Sequence, residues 1–322
     1  MVRLGEYLKS NDDEWLEVKS LAEAKNPWFT QEFIDLAAAN IADKYLDANS
    51  LKQWAAHYHL DNTIAPETVG IVMAGNIPLV GFHDMLSVFI CGHRQAIKLS
   101  SKDDVLTKHI VEKLVSWSEE VGQLIAIRDL LKGCDAFIAT GGNQSARHFE
   151  QYFGAYPHII RKSKTSAAIL TGKESETELE KLADDVHLYF GRGCRNVTKL
   201  FVPDGYDFVP LLKAFDKYKY FSDHNKYRNN YDFQLSLLLL NQAYYMTNGT
   251  TLLVENTQPF TPISVLHYET YLNQIELKKQ LNSIDDLQCV VGEDAVKFGG
   301  AQTPSLTDYA DGTDTMQFLL GL

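Results

Sequence analysis

The chain has 322 residues, of which 45% are hydrophobic and 22% are charged, an ordinary balance for a globular protein that argues against a disordered or fibrous one. At roughly 150 residues per domain, this length predicts about two domains. The formal net charge of −12 argues against a surface that follows the phosphates of a nucleic acid, so we expect no nucleic-acid partner.

The length of the apolar runs and the spacing of the cysteines indicate the cellular compartment of the protein. No stretch approaches about 18 uninterrupted apolar residues, and the opening MVRLGEYLKSNDDEW lacks the apolar core of a signal peptide. We therefore expect a cytoplasmic protein without a membrane span. Cys91, Cys134, Cys194 and Cys289 are widely separated and form no CxxC pair, which predicts reduced thiols, one of them a candidate for reactivity, and neither a metal site nor a disulfide framework.

Roughly the first 60 residues have helical periodicity. Phe33, Leu36, Ala37, Ile41 and Tyr45 recur at intervals of three and four residues. This spacing predicts an α-helical lead-in.

After Pro66 the pattern changes to short apolar runs that alternate with amphipathic stretches. TVGIV and RQAIK predict strands on either side of the helix-like LVGFHDMLSVFICG, and CDAFIATGGNQSARHFEQY has the pattern of a strand, a glycine turn and a helix. Strands that interleave with helices predict an α/β fold with mostly parallel sheets, whose ligands bind at the carboxyl ends of the strands.

A second set of strand-like runs predicts a second domain of the same kind: SAAIL, TKLFVP, TTLLVE, ISVLHY and LQCVV. We place the first domain, with its helical lead-in, at residues 1–170 and the second at residues 171–300. Residues 301–322 form a C-terminal tail that we expect to pack back on the chain or to pair with a partner.

Cys194 lies in the segment GRGCRNV, between small or flexible neighbours and just before a predicted strand. A nucleophilic thiolate needs access and nearby backbone N–H groups, and a turn flanked by glycine supplies both. A small buried cysteine is the alternative interpretation.

Asn76 follows a predicted strand that ends at Gly75, and it stands two residues before Pro78. An amide at the carboxyl end of a strand could donate a hydrogen bond to a developing oxyanion, and the proline restricts the chain behind it. The alternative is an asparagine that only forms a turn.

Two further strand ends carry candidate nucleotide contacts. Lys98, Ser100 and Ser101 at the end of AIKLSSKD suit a ribose or a phosphate, although a solvated strand end is equally compatible. Thr140, Gly141 and Gly142 connect a strand to a helix, where glycines would let a phosphate approach the helix N-terminus. Paired glycines before a helix are also a common turn, and they do not match GxGxxG.

In their order and spacing these segments resemble the aldehyde dehydrogenase superfamily, and within it the bacterial acyl-CoA reductases typified by the fatty acid reductase of bioluminescence. GNIPL resembles the family's asparagine-phenylalanine-proline motif, which implies that Asn76 is the oxyanion amide. GRGCRNV resembles the nucleophile loop, which implies that Cys194 carries the acyl group. IKLSS resembles the cofactor-ribose motif, and ATGGNQSAR the phosphate turn with its helix.

Later segments extend the resemblance to roughly residues 66–322. PFTPISVL is similar to the phenylalanine-glycine-proline segment, with Phe260 in the phenylalanine position, which implies that Phe260 contacts the cofactor. VKFGGAQTPSLTDYADGTDTMQFLLGL is similar to the acyl-CoA reductase branch. The resemblance implies an aldehyde dehydrogenase-like fold of two Rossmann-like parallel-sheet domains. The first would bind the nucleotide and the second would carry the thiol nucleophile.

Three departures from the usual pattern of the superfamily bear on its chemistry. IIRKSKTSAAIL, which matches the segment that holds the water-activating glutamate in hydrolytic relatives, contains no carboxylate, and this favours reduction of a thioester over hydrolysis. Ser101 and Lys102 replace a glutamate that would repel a 2′-phosphate, which favours NADPH over NADH. Gln258 stands where relatives often have a ribose-binding glutamate, so that contact is not predicted.

The resulting hypothesis is an acyl-CoA reductase that transfers an acyl group from acyl-CoA, or from an acyl-carrier thioester, to Cys194 and releases an aldehyde after reduction. One alternative is a CoA-acylating aldehyde dehydrogenase that runs in the oxidative direction. Another is a noncatalytic dehydrogenase-like subunit of an acyl-transfer complex. A homodimer is compatible with each.

Overall fold

The computed structural model describes residues 1–58, 60, 65–281 and 283–322. Contacts divide the chain into two compact units, one made of Met1–Ser163 with Pro304–Leu322 and the other of Lys164–Thr303. The second unit begins at Lys164, a few residues before the predicted domain boundary at residue 170. The boundary is earlier because the strand Thr165–Ile169 pairs with strands of the second unit. The assignment of nucleotide binding and catalysis to separate domains stays a prediction.

The helical lead-in is confirmed. Within the described residues, four helices lie before the first strand, and a π-helical turn at Ile41–Tyr45 extends the third: α1 (Val2–Leu8), α2 (Asp13–Lys25), α3 (Gln31–Asn40) and α4 (Ala48–His57). The Thr30 side chain caps α3 by accepting from the Phe33 N–H, which satisfies a backbone donor that has no partner inside the helix. Phe33, Ala37 and Ile41, which share the predicted apolar face, are buried in the core of the first unit.

The first unit contains a parallel sheet with strand order β3-β2-β1-β4-β5. Its strands are β1 (Thr68–Val72), β2 (Arg94–Lys98), β3 (Ile125–Ile127), β4 (Ala136–Thr140) and β5 (His158–Arg161). The helices that alternate with them are α5 (Phe82–Ile90), α6 (Val105–Trp117), α7 (Val121–Leu124) and α8 (Asn143–Phe153). The sequence patterns did not predict β3 and β5, which are short and lie at the two edges of the sheet.

The second unit contains a sheet with strand order β11-β6-β7-β10-β9-β8, in which only β8 is antiparallel to its neighbour among the described residues. Its strands are β6 (Thr165–Ile169), β7 (Val197–Pro203), β8 (Met246–Thr247), β9 (Leu252–Glu255), β10 (Val265–Tyr271) and β11 (Leu287–Val291). Its helices are α9 (Glu176–His187), α10 (Val209–Ala214), α11 (Asn225–Leu240) and α12 (Gln274–Leu281), with 3₁₀ segments at Leu188–Gly191 and Phe215–Asp223. The predicted α/β class with two mostly parallel sheets is confirmed.

The C-terminal segment, with a 3₁₀ turn at Ala310–Gly312 and α13 (Thr315–Leu320), packs on the first unit. The Tyr309 hydroxyl accepts a hydrogen bond from Trp54 Nε1 at 2.9 Å, and the Tyr58 hydroxyl donates to Asp314 at 2.7 Å. These bonds join the segment to α4. In the described part of the chain, no helix has both the length and the apolar character needed to span a bilayer.

Candidate active site

Three loops of the first unit meet at the carboxyl end of its parallel strands. Asn76 follows β1, Lys98–Ser101 end β2, and Thr140–Gly142 end β4, and these three strands are neighbours in the order β2-β1-β4. The order of strands reverses between β1 and β4, and parallel α/β sheets bind ligands outside the carboxyl ends of strands at such a point. The fold thus brings together the predicted oxyanion amide and the predicted nucleotide-site residues of the first unit, Lys98, Ser100, Ser101 and Thr140–Gly142.

The loop after β1 and the loop after β2 are packed against each other. The N–H of Met73 donates to the carbonyl oxygen of Lys98 at 3.0 Å, which continues the strand pairing into the loops. A Cβ atom on Gly75 would lie 2.5 Å from Ser100 Oγ, so only glycine fits before Asn76. The half-buried Asn76 therefore stands on a turn that the β2 loop holds closely.

The loop after β2 presents cations and hydroxyl groups to solvent. Lys98, Ser101 and Lys102 are exposed, and Ser100 is half-buried, where its Oγ accepts from the N–H of Lys102 at 3.3 Å. Lysine and serine side chains are donors to phosphate and ribose oxygens. This loop can hold an anion or a polyhydroxylated group.

The glycine turn after β4 leads directly into α8. Gly142 is the N-cap of the helix, no side chain among the described residues caps it, and the first turn contains no acidic residue. Its first backbone N–H groups, which have no partner inside the helix, lie in an exposed turn, and Gly141 is held by a bond from its N–H to the carbonyl oxygen of Arg161 at 3.2 Å. An exposed helix N-terminus with no acidic cap is suited to a phosphate.

In the second unit, Cys194 lies in a loop that Asn196 organises. The Asn196 side chain is fully buried, and its Oδ1 accepts from the N–H of Gly193 at 2.7 Å. Its Nδ2 lies 2.9 to 3.2 Å from the carbonyl oxygens of Asp185, Val186 and Leu188 at the end of α9. One amide thus fastens the nucleophile loop to the preceding helix, a role that sequence reasoning did not assign.

The chain reaches this loop through a left-handed turn. Tyr189 and Phe190 both have φ of 57°, and Gly191 has φ of 70°. For residues other than glycine this conformation costs roughly 1–2 kcal/mol each. Burial offsets the cost: Phe190 is 3% exposed, and its ring lies 4.5 Å from the rings of both Phe221 and His224.

Ser166 on β6 joins the nucleophile loop to the edge of the sheet. Its hydroxyl donates to the carbonyl oxygen of Cys194 at 3.1 Å and accepts from the N–H of Cys289 on β11 at 3.3 Å. Ser166 is fully buried, whereas the side chains of Cys194 and Cys289 are half-buried. Sequence reasoning missed Ser166 because it stands 28 residues before Cys194, and only the pairing of β6 with β7 brings the two together.

The segment before Phe260 is held in place by hydrogen bonds that its backbone carbonyl oxygens accept from side chains. Three side chains of β7 and β10 bond to three of these oxygens: Thr198 Oγ1 to Pro259 at 2.6 Å, His267 Nδ1 to Gln258 at 2.8 Å, and Lys199 Nζ to Asn256. Phe260, 38% exposed, follows directly. Because Thr198 is the second residue of the strand that follows Cys194, the Phe260 segment lies beside the nucleophile loop.

A small cavity of about 20 Å³, room for roughly one water molecule, lies between the end of α9 and the segment after Phe260. Its lining includes the buried His187, whose Nδ1 lies 2.8 Å from the carbonyl oxygen of Ala183 and whose Nε2 lies 2.7 Å from Thr251 Oγ1. Since a carbonyl oxygen only accepts, Nδ1 carries the proton and Nε2 accepts from the Thr251 hydroxyl. Burial of this neutral imidazole lowers the pKa of His187 to about 4.

We expect acid to destabilise the second unit through His187. Its folded pKa of about 4 lies below the ordinary value of 6.5, so the unfolded chain binds a proton first and this contribution to stability is lost as the pH falls from 6.5 to 4. The full loss is roughly 3 kcal/mol. As the pH is lowered from 7.5 to 4.5, the unfolding temperature of a His187→Asn variant should therefore fall less steeply than that of the parent. His57→Gln, at an exposed histidine, should follow the parent curve, and equal slopes for all three would refute the assignment.

The predicted residues thus form two groups. Asn76, Lys98, Ser100, Ser101 and Thr140–Gly142 belong to the first unit, and Cys194 and Phe260 belong to the second. Over the residues that the structure describes, no three His, Cys, Asp or Glu side chains are grouped so as to hold a metal ion.

Solved structures share this fold at low sequence identity. Aldehyde dehydrogenase 21 from Physcomitrella patens, in complex with the reaction product succinate, has a TM-score of 0.65 and 12% identity, with 90% of this chain and 72% of that chain covered. An NAD-dependent aldehyde dehydrogenase from Sinorhizobium meliloti has a TM-score of 0.64 and 12% identity, with 94% and 70% covered. HpcC from Thermus thermophilus has a TM-score of 0.65 and 11% identity, with 90% and 68% covered. No curated protein matches the chain in sequence.

Two mostly parallel sheets, with a cysteine loop before a central strand of the second, form an aldehyde dehydrogenase-like fold. Residues 43–210, just over half of the 322-residue chain, match the model of the acyl-CoA reductase (LuxC) family. The chain belongs to this family. Its members are oxidoreductases of acyl and aldehyde groups, and the resemblance predicted from the sequence motifs is confirmed.

Proposed function

We propose that the protein is an acyl-CoA reductase that forms a thioester on Cys194 and releases an aldehyde after reduction. The observation that carries this proposal is the construction of the nucleophile loop. Asn196, Ser166 and a strained turn hold a half-buried thiol at the start of a central strand. Buried polar side chains and a strained turn support the loop of this cysteine, and backbone strain is common at catalytic positions.

The reaction begins when the Cys194 thiolate attacks the carbonyl carbon of an acyl-CoA thioester. A new C–S bond forms, and the charge that develops on the carbonyl oxygen is stabilised by the Asn76 amide and the Cys194 backbone N–H. The C–S bond to CoA then breaks, the CoA thiolate leaves and takes up a proton, and the acyl group remains on Cys194.

Reduction of the acyl-enzyme needs a two-electron donor, and a reduced nicotinamide dinucleotide supplies a hydride when it is bound. The loops of the first unit fit such a group: Lys98, Ser100 and Ser101 offer donors for a ribose, and the uncapped N-terminus of α8 suits its phosphates. Ser101 and Lys102 place no carboxylate and one cation at the expected position of a 2′-phosphate, which favours NADPH. After reduction, the hydroxyl oxygen of the thiohemiacetal on Cys194 gives up its proton to solvent and re-forms the carbonyl bond as the C–S bond breaks, which releases the aldehyde and regenerates the thiolate.

Hydrolysis of the acyl-enzyme is disfavoured by the residues beside the nucleophile loop. Residues 164–170 place Ser166 against the carbonyl oxygen of Cys194, and the segment contains no carboxylate to activate water. The hydroxyl of Ser166 is a poor general base at neutral pH. The thioester should therefore persist until it is reduced or returned to a thiol.

Single-turnover mass spectrometry tests the proposal. The protein is mixed with a panel of acyl-CoAs of different chain length, the labelled cysteine is identified by peptide mapping, and NADPH or NADH is then added. We expect an acyl adduct on Cys194 that disappears with release of aldehyde, faster with NADPH. Peptide mapping separates this adduct from one on Cys289, the other half-buried cysteine.

Other results would change the assignment in defined ways. Loss of the adduct to free acid without NADPH would contradict the reductase and indicate a hydrolase. The absence of an adduct with both acyl-CoA and acyl-carrier thioesters would favour the noncatalytic alternative. Faster turnover of aldehyde with CoA and NAD than of acyl-CoA with NADPH would favour the CoA-acylating direction.

A further inference from the structure

The turn that carries Asn76 has an anchor outside its own loop. Leu79, three residues after Asn76, donates its backbone N–H to Asp103 Oδ2 at 2.7 Å. Asp103 ends the loop after β2, where its own N–H closes a turn on the carbonyl oxygen of Ser100 at 3.0 Å. One carboxyl group therefore connects the candidate oxyanion turn to the candidate ribose loop.

Leu79 adopts a backbone conformation that needs such an anchor. Its φ is 57°, in the left-handed region that side chains other than glycine rarely adopt. The leucine side chain is 3% exposed, so packing and the bond to Asp103 together hold this conformation. Without the acceptor, the Leu79 N–H would be buried without a partner unless the turn moved.

Asp103 is an unfavourable residue in this position unless it has a specific role. Its side chain is 6% exposed, and its second oxygen, Oδ1, is buried without a hydrogen-bond partner among the described residues. Burial raises the pKa of Asp103 to about 7, against the opposing effect of the Leu79 N–H. A buried carboxyl group with one unsatisfied oxygen costs stability, and many side chains would fill the space at lower cost.

We propose that Asp103 is a positioning residue for acyl transfer, which holds the Leu79 N–H and thereby keeps the Asn76 amide where the oxyanion develops. This inference rests on the proposed function, because it needs Asn76 to act in the acylation of Cys194. Donors that stabilise an oxyanion are effective when they are fixed before the reaction, so loosening the turn should slow acylation although Asp103 touches no substrate.

The test is the rate of Cys194 acylation in a single turnover without nucleotide, so that contacts of the β2 loop with the nucleotide do not enter. Asp103→Ala removes the acceptor and should lower the maximal rate by about 30-fold, with the acyl-CoA concentration for half-maximal rate unchanged within about 3-fold. Asp103→Asn keeps an oxygen that can accept from Leu79 and should recover the rate to within about 3-fold of the parent.

Asp135→Ala is the matched control. Asp135 also accepts a backbone N–H of β1, that of Thr68 at 2.8 Å, but at the amino end of the strand, away from Asn76. The Asp135→Ala variant should acylate at the parent rate. If Asp103→Ala does not fold, Asp103→Ser takes its place, since the serine hydroxyl is too short to reach Leu79.

A double-mutant cycle separates positioning from a general structural effect. When Asn76 is already alanine, replacing Asp103 by alanine should cost at most about 3-fold more, because the group that Asp103 positions is gone. A full loss of about 30-fold in both backgrounds, or a parent rate in Asp103→Ala, would overturn the inference. If Asn76→Ala alone acylates at the parent rate, it is the oxyanion assignment that fails.

Discussion

Replacement of Cys194 by serine should abolish formation of the acyl-enzyme and lower the rate of thioester reduction by at least about 10³-fold. A serine hydroxyl is not ionised at neutral pH, and the bonds from Asn196 and Ser166 go to the backbone of the loop, so these two residues would not activate the hydroxyl. These bonds do not involve the thiol, so the loop should keep its conformation. The measurement is the mass of the protein after mixing with acyl-CoA, together with the rate of aldehyde release.

The Cys194→Ser variant should still bind the nucleotide, since all the candidate nucleotide residues except Phe260 belong to the other unit. Retained affinity for NADPH, measured by fluorescence titration, would show that the variant is folded. Cys134→Ala, at a buried thiol of the first unit, is the control and should be labelled like the parent. Turnover by Cys194→Ser at the parent rate would exclude the covalent mechanism.

Replacement of Asn76 by alanine is expected to have the second largest effect. Removal of one donor to an oxyanion commonly lowers the rate by about 10²–10³-fold, and here the loss should appear in acylation. Nucleotide affinity should change little because the alanine keeps the turn between Gly75 and Pro78. Stopped-flow measurement of CoA release with a thiol reagent gives the acylation rate directly.

Asn49→Ala provides the comparison for Asn76→Ala. Asn49 is an exposed asparagine in the first turn of α4, and its loss should leave acylation unchanged. If Asn76→Ala instead raises the half-saturating concentration of acyl-CoA with no change in maximal rate, Asn76 binds substrate and transition state equally. It would then be a binding residue rather than an oxyanion donor.

The strands that carry the candidate site could be predicted because their apolar runs are bounded by turn residues. TVGIV, RQAIK and CDAFIATGG correspond to β1, β2 and β4. The loops that follow them meet because the carboxyl ends of parallel strands lie on the same side of a sheet. The edge strands β3 and β5 escaped prediction. They are only three and four residues long, too short for a pattern to stand out from the surrounding chain.

The residues that support the site were harder to foresee than the residues that form it. Asn196 stands two residues after Cys194, but nothing in GRGCRNV indicates that its amide reaches three carbonyl oxygens of α9 and the following turn. In the sequence, Asp103 is an ordinary acidic residue of a polar loop. Its bond to Leu79 depends on the turn after a neighbouring strand, 24 residues earlier in the chain.

By itself, the sequence determined the α/β class, the helical lead-in, the family and the motifs around Cys194 and Asn76, because periodicity and turn chemistry are local properties of the chain. Only the tertiary structure decided which groups hold these motifs in place. Ser166, Asn196 and Asp103 act through hydrogen bonds to backbone atoms of other segments, and a backbone N–H or carbonyl oxygen is the same in every residue type except proline. Sequence patterns therefore do not identify such partners, which are found only once the pairing of the strands is known.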